Sequence, residues 1–163
     1  MANREGRAEI KVAGIPEPIG HYCPVVRAGR MVFISGMEPK DEHGNAVGKG
    51  DVTAQARQVH ENLKKCLAAA GATFADVCKV TVFVRNIADR PKINEIRKEY
   101  FGNARPTSSL VEISRLASDD FLVEIEAVAR EAPDGETGRC VGRAAVPAGR
   151  RASPCGNRAI AAK

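Results

Sequence analysis

Two runs within Arg105–Ala129 restrict the fold more than anything else in the chain: Ser108–Ser114 and Phe121–Ala129, joined by the polar turn Ala117–Asp120. In the second run Val123, Ile125, Ala127 and Ala129 fall on one face, while Leu122, Glu124, Glu126 and Val128 fall on the other. That period of two predicts a β-strand with one face on a core. In the first run Val111 and Ile113 alternate with Leu110, Glu112 and Ser114. Glutamate is a poor strand former. A carboxylate in such a strand faces water or sits in a cleft where it has chemistry to perform, and the strand pattern leaves both readings open for Glu112, Glu124 and Glu126.

The remaining pattern supplies a partner layer for these strands. Glu9–Ala13, Tyr22–Arg27 and Met31–Ser35 read as short strands, the last two joined at Ala28-Gly29-Arg30. Asp51–Ala70 reads as a helix, with Asp51 as N-cap and Gly71 as its stop. Val52, Ala56, Val59, Leu63, Cys66, Leu67 and Ala70 recur at spacings of three and four and form one apolar stripe. His60 stands alone on this helix and reads as a packed residue. Val77–Arg85 is a strand with Val80, Val82 and Val84 on one face. Arg90–Tyr100 is a second helix, with Asp89 as N-cap, Pro91 in its first turn and Ile93, Ile96 and Tyr100 buried. The order β-β-β-α-β-α-β-β defines an α+β domain with two helices on one face of a mixed sheet. The other face then carries Phe83, Leu110, Leu122 and Val128 beside the glutamates, a surface better covered by another subunit than by water.

Composition narrows the function classes. The chain has 163 residues, enough for one domain with a substantial core. No run approaches the ~18–20 apolar residues of a membrane span, and the first residues carry no apolar signal-peptide core, so a cytoplasmic protein is expected. Five widely spaced cysteines without a C-x-x-C pair fit reduced thiols rather than a zinc site, and Cys66 and Cys78 are expected in the core. The net charge is +5, but residues 131–163 hold six basic and three acidic residues, leaving only +2 for the body. Such a body has no basic footprint or aromatic platform, so nucleic acid is not an expected partner. Residues 1–130 are expected to form the domain, and the Gly-, Pro-, Ala- and Arg-rich 131–163 a disordered basic extension. There is no phosphate-binding loop, nucleophile elbow, metal-ligand cluster or dinucleotide fingerprint, and no cofactor or metal is expected.

Pro106, Val111-Glu112-Ile113, Arg115-Leu116 and Val123-Glu124-Ile125-Glu126-Ala127-Val128-Ala129 together resemble the C-terminal signature of the RidA/YjgF family of small enamine/imine deaminases. The resemblance covers about residues 8–130. It implies the chorismate-mutase-like fold, a homotrimer and small-molecule pockets shared between subunits. It also implies Tyr22 (in Ile19-Gly20-His21-Tyr22) and Ser35 (in Ile34-Ser35-Gly36) as substrate-binding residues, with Asn94 from the second helix and Ser108 from the strand after it. Tyr22, Ser35 and Asn94 are expected on one side of the pocket, Ser108 and Glu124 on another. Glu124 takes the role of the catalytic glutamate, which orients a water that adds to an iminium carbon and releases ammonia.

One departure bears on the substrate. The family's carboxylate-binding arginine follows Pro-Ala, whereas here Thr107 and Ser108 follow Pro106. A missing charge-assisted contact of roughly 1.5–3 kcal/mol weakens carboxylate binding by about 10–150-fold. Arg105, three residues before Ser108, would lie about 10 Å away in an extended chain and on the opposite strand face. The reading is therefore an imine/enamine hydrolase whose substrate is not 2-aminoacrylate. A non-catalytic trimer that binds a small metabolite, and an endoribonuclease, are the alternatives.

Overall fold

The structure, a computed structural model, describes residues 6–131. The extension expected at 131–163 lies outside these residues apart from Glu131. Eight elements follow the expected order: β1 (Arg7–Ile10), β2 (Val25–Ala28), β3 (Met31–Met37), α1 (Val52–Ala69), β4 (Val77–Val84), α2 (Arg90–Phe101), β5 (Thr107–Glu112) and β6 (Val123–Arg130). One six-stranded sheet runs β1-β2-β3-β6-β4-β5. β4 and β5 are parallel and every other pair is antiparallel, so the sheet is mixed. Among the described residues no helix is long and apolar enough to cross a membrane.

The core is the meeting of two apolar stripes. Val52, Ala56, Val59, Leu63, Cys66, Leu67 and Ala70 of the α1 stripe are all buried. They meet Val32 and Ile34 of β3, Val80, Val82 and Val84 of β4 and Val123, Ile125, Ala127 and Ala129 of β6. Asp51 caps α1 by accepting from Thr53 N and Ala54 N at 2.9 and 3.2 Å. Gly71 ends it at φ +71°, a left-handed turn that suits glycine.

Several local expectations shift for identifiable reasons. β2 begins only after Pro24, which has no N–H to give a ladder. β6 begins at Val123 because the Leu122 N–H goes to the Gln55 side chain, Oε1, at 2.7 Å. Asp89 does not cap α2 with its side chain, and Phe101, rather than Tyr100, completes the buried face of that helix. Cys78 is exposed, not in the core, because a register shift between Val77 and Lys79 turns it outward while Val77 and Val80 both stay inside.

The uncovered face also differs in content. The β4–β5 register pairs Val82 with Leu110 and Phe83 with Val111. Paired residues share a face, so Leu110 joins the core side, and Leu122 packs on the core as well. The open face instead holds Phe33, Phe83, Val111 and Val128 around Glu124 and Glu126, with Phe33 46% and Val111 43% exposed.

Candidate functional site

β3 carries the local irregularity on which the site is built. Its pairing with β6 is regular from Met31 to Ile34, then slips before Met37. The slip brings Gly36 beneath Glu124 of β6. A methyl group placed on Gly36 would collide with Glu124 Oε1 and stand 2.7 Å from its Cδ. The missing side chain is the seat of the carboxylate.

That seat is electrostatically unusual. Glu124 is half-buried, and its carboxyl lies above the ordinary carboxylate range, first because burial removes water and then because Glu38 and Glu126 lie close. Lys40 opposes the shift. Glu38 and Lys40 form an ion pair at 2.5 Å, and the Lys40 ammonium lies 5.4 Å from the centre of the Phe121 ring. A carboxyl poised this way can take a proton from water and return it to a leaving amine.

Helix α1 anchors both loops around Glu124 through buried polar side chains. Asn62 donates from Nδ2 to the carbonyls of Glu38 and Lys40 at 3.1 and 2.9 Å. Gln55 is fully buried. It donates to the carbonyls of Gly48 and Asp120 at 3.2 and 2.7 Å while accepting from Leu122 N. The two residues are seven apart, two helical turns on one face. Polar residues in phase with an apolar stripe were the available sequence signal for them.

Gly36, Glu38, Lys40 and Asn62 line a cleft of about 470 Å³ that Tyr22 also lines. Tyr22 is 55% exposed and its ring edges this cleft. Ser35 lies next to Gly36 but opens toward Phe33 and Glu126 on the sheet face. Its hydroxyl donates to the carbonyl of Cys23 at 2.9 Å, tying β3 to the segment that carries Tyr22.

The structure therefore regroups the expected residues. Tyr22 lines the same cleft as Gly36, on which Glu124 sits, and Ser35 is the neighbour of Gly36 in the chain. Ser108 stands apart: it pairs with Val80 on the helix-covered side, whereas Glu124 pairs with Phe83 on the open side. Asn94 lies on α2, in the helix layer, and lines a separate groove with Arg105 and Pro106. Arg105 reaches that groove because β5 starts only at Thr107, so the strand alternation used to turn it away does not extend to it.

His60 is fully buried as a packed residue, its ring 5.0 Å from and stacked on Tyr100. Its Nδ1 donates to Ala56 O at 2.6 Å.

One mixed sheet covered on one side by two helices, with a glutamate seated over a glycine at a strand slip, places the molecule in the α+β class with the chorismate-mutase-like arrangement. Residues 13–131 match the family described as Endoribonuclease L-PSP, and the chain belongs to this family, the RidA/YjgF family. It is 40% identical over 116 residues to the 3-aminoacrylate deaminase RutC of Acinetobacter baylyi, covering 71% of this chain and 91% of the relative. It is 42% identical over 123 residues to a 2-iminobutanoate/2-iminopropanoate deaminase of Salmonella typhimurium, covering 74% and 94%. The crystal structure of E. coli TdcF with bound serine superposes with a TM-score of 0.71 at 37% identity, over 77% of this chain and 99% of that one.

Proposed function

We propose that this protein is an imine/enamine deaminase, hydrolysing a reactive imine to a carbonyl compound and ammonia, with a substrate other than 2-aminoacrylate. The observation that carries the reading is Glu124, a half-buried carboxyl with a raised pKa seated over Gly36, which lines the cleft that holds Tyr22. In the reaction the Glu124 carboxylate takes a proton from a water as its oxygen bonds to the iminium carbon. The proton then passes to the amine nitrogen of the tetrahedral adduct; the adduct's hydroxyl gives its proton to the Glu124 carboxylate as the C–N bond breaks, so the carbonyl forms and ammonia leaves. Two relatives named for deaminating small amino- or imino-acids support this class, and their names differ in substrate. Ser108 at the arginine position is the reason for placing the substrate apart from 2-aminoacrylate.

The working form is proposed to be a cytoplasmic homotrimer. Within one chain Glu124 and Ser108 point to opposite sides of the sheet, so a pocket containing both needs two copies. The exposed Phe33 and Val111 beside Glu124 supply apolar surface for such a contact. Sedimentation of the full chain at micromolar concentration tests the assembly: a trimer is expected, and a stable monomer contradicts it. Ammonia release from a panel of imines generated in situ tests the chemistry. Turnover of one imine, lost in Glu124→Gln, is expected. Saturable binding of a small metabolite without turnover of any imine would instead favour a non-catalytic trimer.

A further inference from the structure

Helix α1, helix α2 and the turn Phe74–Asp76 meet at His60, and what holds them there is rings rather than polar partners. The His60 imidazole stacks on Tyr100 at 5.0 Å, with Phe101 edge-on at 6.1 Å and Phe74 tilted at 6.2 Å. Phe74 in turn lies 5.5 Å from Tyr100 and 4.9 Å from Phe101. The cluster fastens the last turn of α2 onto α1.

Its centre can take a proton but is not built to hold one. His60 Nδ1 donates to the Ala56 carbonyl, which leaves Nε2 as the basic nitrogen. Among the described residues Nε2 is buried with no hydrogen-bond partner. A proton there would set a charge among aromatic rings. The neighbouring charges do not compensate. Arg57 of α1 and Arg97 of α2 oppose protonation. Glu61 favours it, but its carboxylate already accepts from the Tyr100 hydroxyl at 2.6 Å. In the turn, Asp76 is engaged by Thr73 N and Oγ1 at 2.9 and 2.8 Å.

Relief is close at hand. Tyr100 and Phe74 line a surface groove of about 340 Å³, so the rings that cover His60 already meet solvent on their outer side. Gly102 follows the last turn of α2 at φ +54°, a conformation that suits glycine and gives the chain a pivot before β5. Upstream, Ile93 and Ile96 are buried and keep the rest of α2 in place.

We propose that His60 is an acid-sensitive latch: on taking a proton at Nε2 it releases residues 97–101 of α2 from α1 while the sheet stays paired. The latch does not depend on the deaminase reading and is measured without turnover. Its direction follows from the closed state, in which burial, the first cause, lowers the His60 pKa from 6.5 to about 4. Above pH 6.5 the ring is neutral whether covered or not, and the latch is shut. As pH falls, the uncovered ring takes a proton first, and opening grows by about twentyfold between pH 7 and pH 5.

The test is amide hydrogen exchange of the full chain at pH 7 and pH 5, corrected for the intrinsic pH dependence of exchange. Protection of residues 97–101 is expected to fall by about twentyfold, while protection of β6 stays unchanged. In His60→Phe, which keeps a ring and removes the base, protection of residues 97–101 is expected to hold at both pH values. An equal fall in α2 and β6 overturns the proposal, because His60 would then titrate only on global unfolding. So does an undiminished fall in His60→Phe, or no fall in the wild type. Should His60→Phe fail to fold, as judged by circular dichroism, the wild-type pH profile decides. Exchange at residues 97–101 must then begin to rise near pH 6.5, and a profile flat down to pH 5 is contrary.

Discussion

Glu124 occupies the space a side chain at position 36 would fill, so Gly36 is the complement of the candidate catalytic carboxyl. The backbone of Gly36 is not left-handed, which makes the requirement steric rather than conformational. Gly36→Ala is therefore expected to fold, with its melting temperature changed by only a few degrees, while Glu124 swings out of its seat. Imine turnover is expected to fall by about tenfold or more, since misplacing a reacting group by about 1 Å can cost about a hundredfold. Turnover at the wild-type level in a folded Gly36→Ala would show that the seat does not matter.

The charges around Glu124 set the pH at which it is ready. Burial raises its pKa most, Glu38 and Glu126 push it further up, and Lys40 pulls it down. If the ionised form activates water, the acid limb of kcat/KM follows Glu124. Glu38→Gln removes the neighbouring negative charge, so the limb moves to lower pH. Lys40→Met removes the positive charge, so it moves to higher pH. Shifts of the same sign in both variants, read from pH–rate profiles, would assign the limb to another group.

The two variants together also separate tuning from support. Asn62 holds the backbone carbonyls of residues 38 and 40, so neither substitution removes the contacts that position the loop.

His60 makes stability itself depend on pH. Burial is the main cause that lowers its pKa from 6.5 to about 4. Its Nε2 is buried with no hydrogen-bond partner. The folded chain thus holds His60 neutral, while the unfolded chain takes up a proton below about pH 6.5. Stability from this residue is fully present above pH 6.5 and is lost as pH falls toward 4, amounting to roughly 3 kcal/mol across that window. Urea unfolding at pH 7 and pH 4.5 measures it, with His60→Phe as the comparison. The variant is expected to lose less stability over the same interval, and identical losses in both proteins would place the dependence elsewhere.

Much of this architecture is written in short-range periodicity. The α1 stripe from Val52 to Ala70 and the alternation of Val123–Ala129 each state which side is buried, and the order of elements follows. Tyr22, Ser35 and Glu124 stand in motifs that local sequence displays; Glu124 sits on Gly36, which follows Ser35 and lines a cleft with Tyr22. What alternation does not carry is register. Leu110 changed faces because its partner is Val82, and Cys78 turned outward because the β4–β6 ladder slips beside it. For Arg105 strand alternation has no force, because the strand starts two residues after it. Long-range pairing decides such positions, and no local pattern records it. Gln55 and Asn62 lay in plain view, since polar residues inside an apolar stripe need buried partners.

Glu124 is proposed to hydrolyse an imine other than 2-aminoacrylate. The most direct measurement is the rate of ammonia release from 2-aminoacrylate and from other imines, for the wild type and Glu124→Gln side by side. Weak or absent acceleration is expected with 2-aminoacrylate, clear acceleration with at least one other imine, and loss of that acceleration in Glu124→Gln. Efficient hydrolysis of 2-aminoacrylate by the wild type, or undiminished turnover in Glu124→Gln, would contradict it.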